Sequence, residues 1–190
     1  MEGALDYCSE YLCKYRDWFT SPGAHHLIEC PTCARRIWDG FAKTYPGATM
    51  GATSLPGDPI HPGHISVLDH ASQLCTVLYV IVNGDRFLEL KKGAAFMPLK
   101  ARCQIIGALH MQNIVVVPFE PSDPDDTTVN EALTILRPSK FFKGGDRVDK
   151  ATIPEWTTCE SLGIEIVTNI GDTKQWSSSD FLRKWDERTR

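Results

Sequence analysis

The sequence predicts an α/β fold built on a mostly parallel sheet, on three observations. From about Ala48 onward, short apolar runs alternate with amphipathic stretches, the pattern of successive βαβ units. The clearest apolar runs are β-branched, as suits strands covered on both faces. At 190 residues and 42% hydrophobic composition, the chain can bury the core of one full domain but not that of a second of ordinary size.

Residues 1–47 read as a helical extension of that domain. Leu5, Cys8, Leu12, Tyr15 and Phe19 recur at helical spacing, Ser21-Pro22-Gly23 breaks the pattern, and Cys30-Pro31-Thr32-Cys33 forms a turn before a short helix around Ala34 to Lys43. Tyr45-Pro46-Gly47 marks the boundary, so the main domain is expected over 48–190. Its first strand is expected over Ala48 to Ser54. Thr76 to Val82 (TVLYVIV) and Ile114 to Val117 (IVVV) are the strongest strands, with Lys140 to Phe142 and Glu165 to Val167 as shorter ones. Between them, His64 to Leu74, Lys100 to Leu109 and Thr128 to Leu136 each carry one apolar face and read as helices. Pro121 to Asp126 (PSDPDD) is a polar turn region, and Arg137-Pro138 stops the helix that follows it.

The net charge of −4 supplies no broad basic field for a nucleic-acid backbone or an anionic membrane. No apolar run is long enough to span a bilayer, and Met1 to Asp6 lack the basic start and apolar stretch of a secretion signal. A cytoplasmic protein acting on small molecules is therefore expected. The seven cysteines are odd in number and scattered, which favours reduced thiols over a disulfide scaffold.

The segment that carries chemistry is Asp58-Pro59-Ile60-His61-Pro62-Gly63-His64, an H-x-G-H set where a strand should end and a helix begin. Exposed backbone N–H groups and the positive end of the helix dipole favour anions there, and Gly63 lets a phosphate approach the backbone. Histidines three residues apart can point at one phosphate and donate to oxygens whose charge grows in a transition state. His61 and His64 have no carboxylate or cysteine at ligand spacing beside them, so a metal site is the weaker reading.

This motif resembles the signature of the nucleotidylyltransferase superfamily, whose members carry H-x-G-H after the first strand of a Rossmann-like sheet. Four further segments follow in the same order. Val82-Asn83-Gly84-Asp85 with Leu90-Lys91-Lys92-Gly93 resembles the strand end and lysine loop of the sugar-phosphate adenylyltransferase branch. Leu99-Lys100-Ala101-Arg102, Phe142-Lys143-Gly144-Gly145-Asp146 and Ser177-Ser178-Ser179 before Asp180-Phe181-Leu182 resemble its later motifs. The likeness covers about residues 48–185.

The resemblance implies a doubly wound parallel sheet of about five strands, with the site above their carboxyl ends at the switch point. It implies transfer of a nucleoside monophosphate from a nucleoside triphosphate to a phosphorylated small molecule, with Mg²⁺ as cofactor. His61 and His64 would stabilise the transition state, Lys92 and Arg102 would clamp the triphosphate, and Asp58, Gly63, Lys143, Gly144, Gly145, Asp146, Ser177, Ser178 and Ser179 would line the nucleotide site. The place where the cytidylyltransferase branch carries an R-Y-V-D-type segment reads Met111-Gln112-Asn113-Ile114-Val115, which favours ATP over CTP. Cytidylyl transfer to an alcohol phosphate such as glycerol 3-phosphate is the alternative, and a non-catalytic nucleotide-binding module is another. A homodimer is an open assembly state. The chain departs from the family where Pro56-Gly57 replaces the usual aromatic residue before Asp58, and where the first strand lacks a Val/Ile run. Leu182 stands where some branches have arginine, and Trp176 precedes the serines as either a base-stacking or a structural residue.

Cys30 and Cys33 form one C-x-x-C knuckle, and Cys8, Cys13, His25 and His26 are near enough in sequence to complete a structural Zn²⁺ site. No second C-x-x-C completes the pattern. A metal-free helical extension is the favoured reading.

Overall fold

The computed structural model describes residues 29–189 apart from His110, Gln112, Asp146, Val148, Lys174 and Trp176. The helix expected over Leu5 to Phe19 lies outside the described residues, as do Cys8, Cys13, His25 and His26.

Five strands form one all-parallel sheet: β1 (Met50–Leu55), β2 (Val77–Asn83), β3 (Ile114–Phe119), β4 (Lys140–Gly144) and β5 (Glu165–Ile170), in the order β3-β2-β1-β4-β5. The chain winds outward from β1 to β3, then crosses back to place β4 on the other side of β1. The topological switch point therefore lies between β1 and β4, where doubly wound sheets open a crevice above their carboxyl ends.

The helices are α1 (Pro31–Thr44), α2 (Pro62–Ser72), α3 (Asp85–Lys92), α4 (Leu99–Gly107), α5 (Asn130–Leu136), α6 (Trp156–Leu162) and α7 (Ser178–Thr189). Strand alternation divides the core into two layers. Leu78, Val80 and Val82 of β2 face a cluster with Leu68 of α2 and Cys103 and Ile106 of α4. Tyr79 and Ile81 face the opposite cluster, with Ala34 of α1, Leu133 and Leu136 of α5 and Cys159 of α6. α1 is integrated into this second layer: Ala34 is fully buried, Tyr79 donates to its carbonyl at 3.2 Å, and Arg35 donates to the Leu136 carbonyl at 2.7 Å.

Two local readings need correction, and a third feature, the weak first strand, finds its cause. Cys30-Pro31-Thr32-Cys33 is the start of α1, with Cys30 as its N-cap and Pro31 in the first turn, where a missing N–H costs nothing. The lysine segment is not a loop but the last turn of α3, which ends on Gly93 in the left-handed region at φ 87°. β1 lacks a Val/Ile run because it is crowded: a Cβ on Gly51 would sit 2.5 Å from Phe142 Cε2 and 2.7 Å from Cys75 Sγ. The bulk that β1 omits is supplied by Phe142 of β4 and by Cys75, which precedes β2.

Candidate active site

His61 is the N-cap of α2, with extended backbone at φ −148°, ψ 167°, and Pro62 opens the helix behind it. The backbone N–H of His64 returns to the His61 carbonyl at 2.9 Å, so the tight turn lays one imidazole on the other. The ring centroids are 3.8 Å apart with planes inclined by 23°. Phe181 of α7 flanks the His61 ring at 6.2 Å.

Both Nδ1 atoms are buried and lack a hydrogen-bond partner among the described residues. Burial lowers the His64 pKa to about 3, and the neighbouring His61 and Lys92 push it the same way. Burial and Lys92 lower the His61 pKa as well. At neutral pH the pair is uncharged, so each ring presents one N–H donor and one acceptor nitrogen.

The histidines line a cleft of about 580 Å³ at the switch point, together with Gly63, Lys91, Lys92, Lys143, Gly144, Gly145 and the three serines Ser177, Ser178 and Ser179. Two helix N-termini open onto it, those of α2 and α7. Ser178 is buried and its Oγ donates to the Pro59 carbonyl at 2.9 Å, which ties the start of α7 to the H-x-G-H turn. Lys92 Nζ donates to the Asp58 carbonyl at 3.3 Å, and its pKa is lowered first by burial.

Two residues expected at the ligand are used elsewhere. Arg102 is fully buried and donates to the carbonyls of Met97 (3.0 Å), Pro56 (2.6 Å) and Asn83 (2.7 Å), and to Asp85 at 2.6 Å. It does not line the cleft. Its guanidinium holds the ends of β1 and β2 to the start of α4, which corrects its expected role as a triphosphate clamp. Asp58 is also buried, and its carboxylate accepts the backbone N–H groups of Phe96 and Met97, both at 2.8 Å. It fixes the loop between α3 and α4. Asp146 and Trp176 lie outside the described residues.

Lys143 and Glu155 form an ion pair at 3.1 Å, each about 5% exposed, in the cleft wall. Lys143 also donates to Ser54 Oγ at 3.1 Å and lies 4.4 Å from the Phe141 ring centroid. Burial lowers its pKa, and Glu155 opposes that shift. Glu155, Arg147, Thr127 and Asp172 line the same cleft and were not singled out from sequence. Arg147 lies next to the glycine motif, a signal adjacency could have raised, whereas Glu155 and Asp172 sit in separate loops with no motif. Asp172 accepts from Ser66 Oγ at 2.8 Å, so the loop after β5 is tied to α2.

Cys33 packs in the core at 8% exposure, with Cys30 against the same cluster. No three His, Cys, Asp or Glu side chains converge as a metal cage among the described residues. No helix among them is long and apolar enough to cross a membrane.

The fold and the cleft define a class: a doubly wound α/β domain with paired histidines and two helix N-termini at an anion-suited switch point. A family model for cytidylyltransferase-like proteins matches residues 58–184, and the chain belongs to that family. It is 29% identical over 126 residues to the bifunctional protein HldE of Bradyrhizobium diazoefficiens, covering 65% of this chain and 24% of that one. It is 34% identical over 127 residues to HldE of Rhodopseudomonas palustris, covering 66% and 23%. The chain thus spans about a quarter of the length of these curated relatives. Among solved structures, a lipopolysaccharide core biosynthesis protein from Thermoplasma volcanium matches with TM-score 0.55 at 18% identity, over 68% of this chain and all of that one. Pantoate-β-alanine ligase from Francisella tularensis, complexed with β,γ-ATP and β-alanine, matches with TM-score 0.58 at 15% identity, over 83% and 73%. At such identities these structures show the shared fold.

Proposed function

We propose that the protein transfers AMP from ATP to a sugar 1-phosphate and releases pyrophosphate. An oxygen of the acceptor phosphate attacks the α-phosphorus, the bond to the bridging oxygen breaks, and its electron pair leaves with pyrophosphate. The observation that carries the reading is the stacked His61–His64 pair with unpartnered ring nitrogens, set at one helix start and facing a cleft that a second helix start shares. Neutral, preorganised N–H donors gain strength as charge develops on phosphate oxygens. Lys92 supplies charge for the triphosphate already present in the ground state.

Adenylyl transfer is favoured by the motif order, which resembles that of D-glycero-β-D-manno-heptose 1-phosphate adenylyltransferase, and by the HldE relatives. A neighbour in fold, the Francisella ligase, is complexed with an ATP analogue. The cleft carboxylates Glu155 and Asp172 are engaged by Lys143 and Ser66. They form no dedicated cage, so Mg²⁺ would arrive on the triphosphate, held chiefly by phosphate oxygens and water. It would offset the charge of the leaving pyrophosphate.

The test is pyrophosphate release by the purified chain with ATP or CTP against a panel of sugar 1-phosphates and glycerol 3-phosphate. ATP with a sugar 1-phosphate is expected to turn over. His61→Ala and His64→Ala should then lower kcat on the order of a hundredfold with modest change in the KM for ATP. Turnover with CTP and glycerol 3-phosphate alone would replace the reading with cytidylyl transfer. Folded histidine variants that react at the wild-type rate would remove the proposed site.

A further inference from the structure

The adenylyl-transfer reading needs a cation for the acceptor's phosphate as well as for the triphosphate, and Arg102 is committed to three carbonyls and Asp85. Four other cations line the cleft: Lys91, Lys92, Lys143 and Arg147. Lys91 and Lys92 share the last turn of α3, and the charge of Lys92 acts on both histidines. They belong to the end of the cleft that the H-x-G-H turn defines. Lys143 is buried and neutralised by Glu155 at 3.1 Å.

Arg147 differs from all of these. It follows β4 just beyond the left-handed Gly145, is exposed on the cleft wall, and acts electrostatically on Lys143. Among the described residues no carboxylate pairs with it. A guanidinium with no carboxylate partner among the described residues, with its fork of N–H donors, matches a phosphate monoester in charge and geometry. Its position suits displacement chemistry, in which attacking and leaving oxygens lie roughly in line through phosphorus. The strand order sets β4 on the other side of β1 from β2, so Arg147 enters the cleft from the side away from Lys92. If pyrophosphate leaves toward the histidines and Lys92, the attacking phosphate comes from the side of Arg147, which has no carboxylate partner among the described residues.

We propose that Arg147 is the residue that holds the phosphate of the acceptor, opposite the histidine end of the cleft. This inference rests on the adenylyl-transfer reading. The buried Lys143–Glu155 pair gives that phosphate a wall with no net charge, so Arg147 is its main electrostatic anchor.

The experiment uses the full chain and two probes, the ATP analogue α,β-methylene-ATP and inorganic phosphate as the acceptor's anionic group. Titration calorimetry measures the analogue first, then phosphate added to protein saturated with analogue. Arg147→Ala is expected to weaken phosphate binding tenfold or more while analogue affinity stays within twofold, and Arg147→Lys is expected to recover part of the loss. Equal phosphate affinity in wild type and Arg147→Ala, or no phosphate binding by the saturated wild type, overturns the inference alone. Loss of analogue affinity with phosphate binding unchanged also overturns it, by assigning Arg147 to the nucleotide. Failure of the wild type to bind the analogue sinks the adenylyl-transfer reading and this inference with it. Thermal unfolding of each variant separates lost contacts from lost fold.

Discussion

Burial holds His64 neutral far below its solution range, at a pKa of about 3, and that shift has a consequence for stability. The unfolded chain has an ordinary histidine, near 6.5. Between those values the unfolded state binds more protons than the native one, so stability falls as pH drops below about 6.5 and continues to fall toward 3. His64→Asn removes this linkage. The loss of melting temperature between pH 7.5 and pH 5 should therefore be smaller in His64→Asn than in wild type, and an equal loss in both would show that His64 does not titrate this way. Arg102 and Lys92 separate in a different manner. Arg102 donates to four groups from a fully buried position, and removing it leaves three carbonyls and Asp85 without their donor. Arg102→Ala is expected to cost about 3 kcal/mol or more in chemical denaturation, because buried carbonyl groups lose a charged donor. Lys92→Ala should leave stability within about 1 kcal/mol and raise the KM for ATP instead. The opposite pattern would restore Arg102 as a ligand.

The strands were legible wherever burial on both faces demanded a continuous apolar run, as in β2 and β3, whose starts differ from expectation by at most one residue. β1 was less legible because its size limit is set by Phe142 and Cys75, which come from other parts of the chain. α3 was missed since most of Asp85–Lys92 is charged and only Leu88 is buried, leaving no apolar stripe to read. α6 was missed for a similar reason, with Cys159 as its one buried residue over seven positions. The same division holds at the site. His61, Gly63 and His64 fall within four consecutive positions, so their spacing alone placed them at a helix start, whereas Glu155, Arg147 and Asp172 reach the cleft from separate loops. Sequence supplied the charge of Arg102 but not its burial. α1 carries a prediction of its own. Cys33 lies in its first turn and packs in the core cluster that also holds Val80 and Val116, where a thiol behaves as a small hydrophobe. Protein purified without chelator is therefore expected to contain no stoichiometric zinc by metal analysis. One zinc per chain, with loss of helical signal on chelation, would assign Cys30 and Cys33 as ligands with two partners from residues 1–26.

The sheet as a whole is joined unevenly. β1 pairs with β2, and β2 with β3, over six registered positions each, while β1 meets β4 over three, Gly51 to Thr53 against Lys140 to Phe142. β4 and β5 are further interrupted by a register shift between Phe142 and Gly144. The molecule thus has a broad half, β1 to β3 with α2, α3 and α4, and a narrow half, β4 and β5 with α6. The cleft spans this seam: His61, His64 and Lys92 come from one side, and Lys143, Gly144 and Gly145 from the other. Besides the β1–β4 pairing, the side-chain ties across it among the described residues include Ser66 to Asp172, Lys143 to Ser54, Thr53 to the Phe142 carbonyl and Ser139 to the Met50 carbonyl. Local opening follows the weakest joints, so β4 and β5 should exchange their amide hydrogens by a lower-energy opening than β2 and β3. A nucleotide bound across the seam stabilises the closed form by mass action, by about 2.7 kcal/mol at a hundredfold excess over its Kd. Hydrogen exchange read by mass spectrometry should then show β4–β5 peptides slowed on the order of a hundredfold by α,β-methylene-ATP, provided their opening breaks the site. β2 and β3 peptides that exchange through openings sparing the site should change far less. Uniform slowing would show that the sheet opens as one unit, and slowing confined to α2 would show that the ligand touches only the broad half.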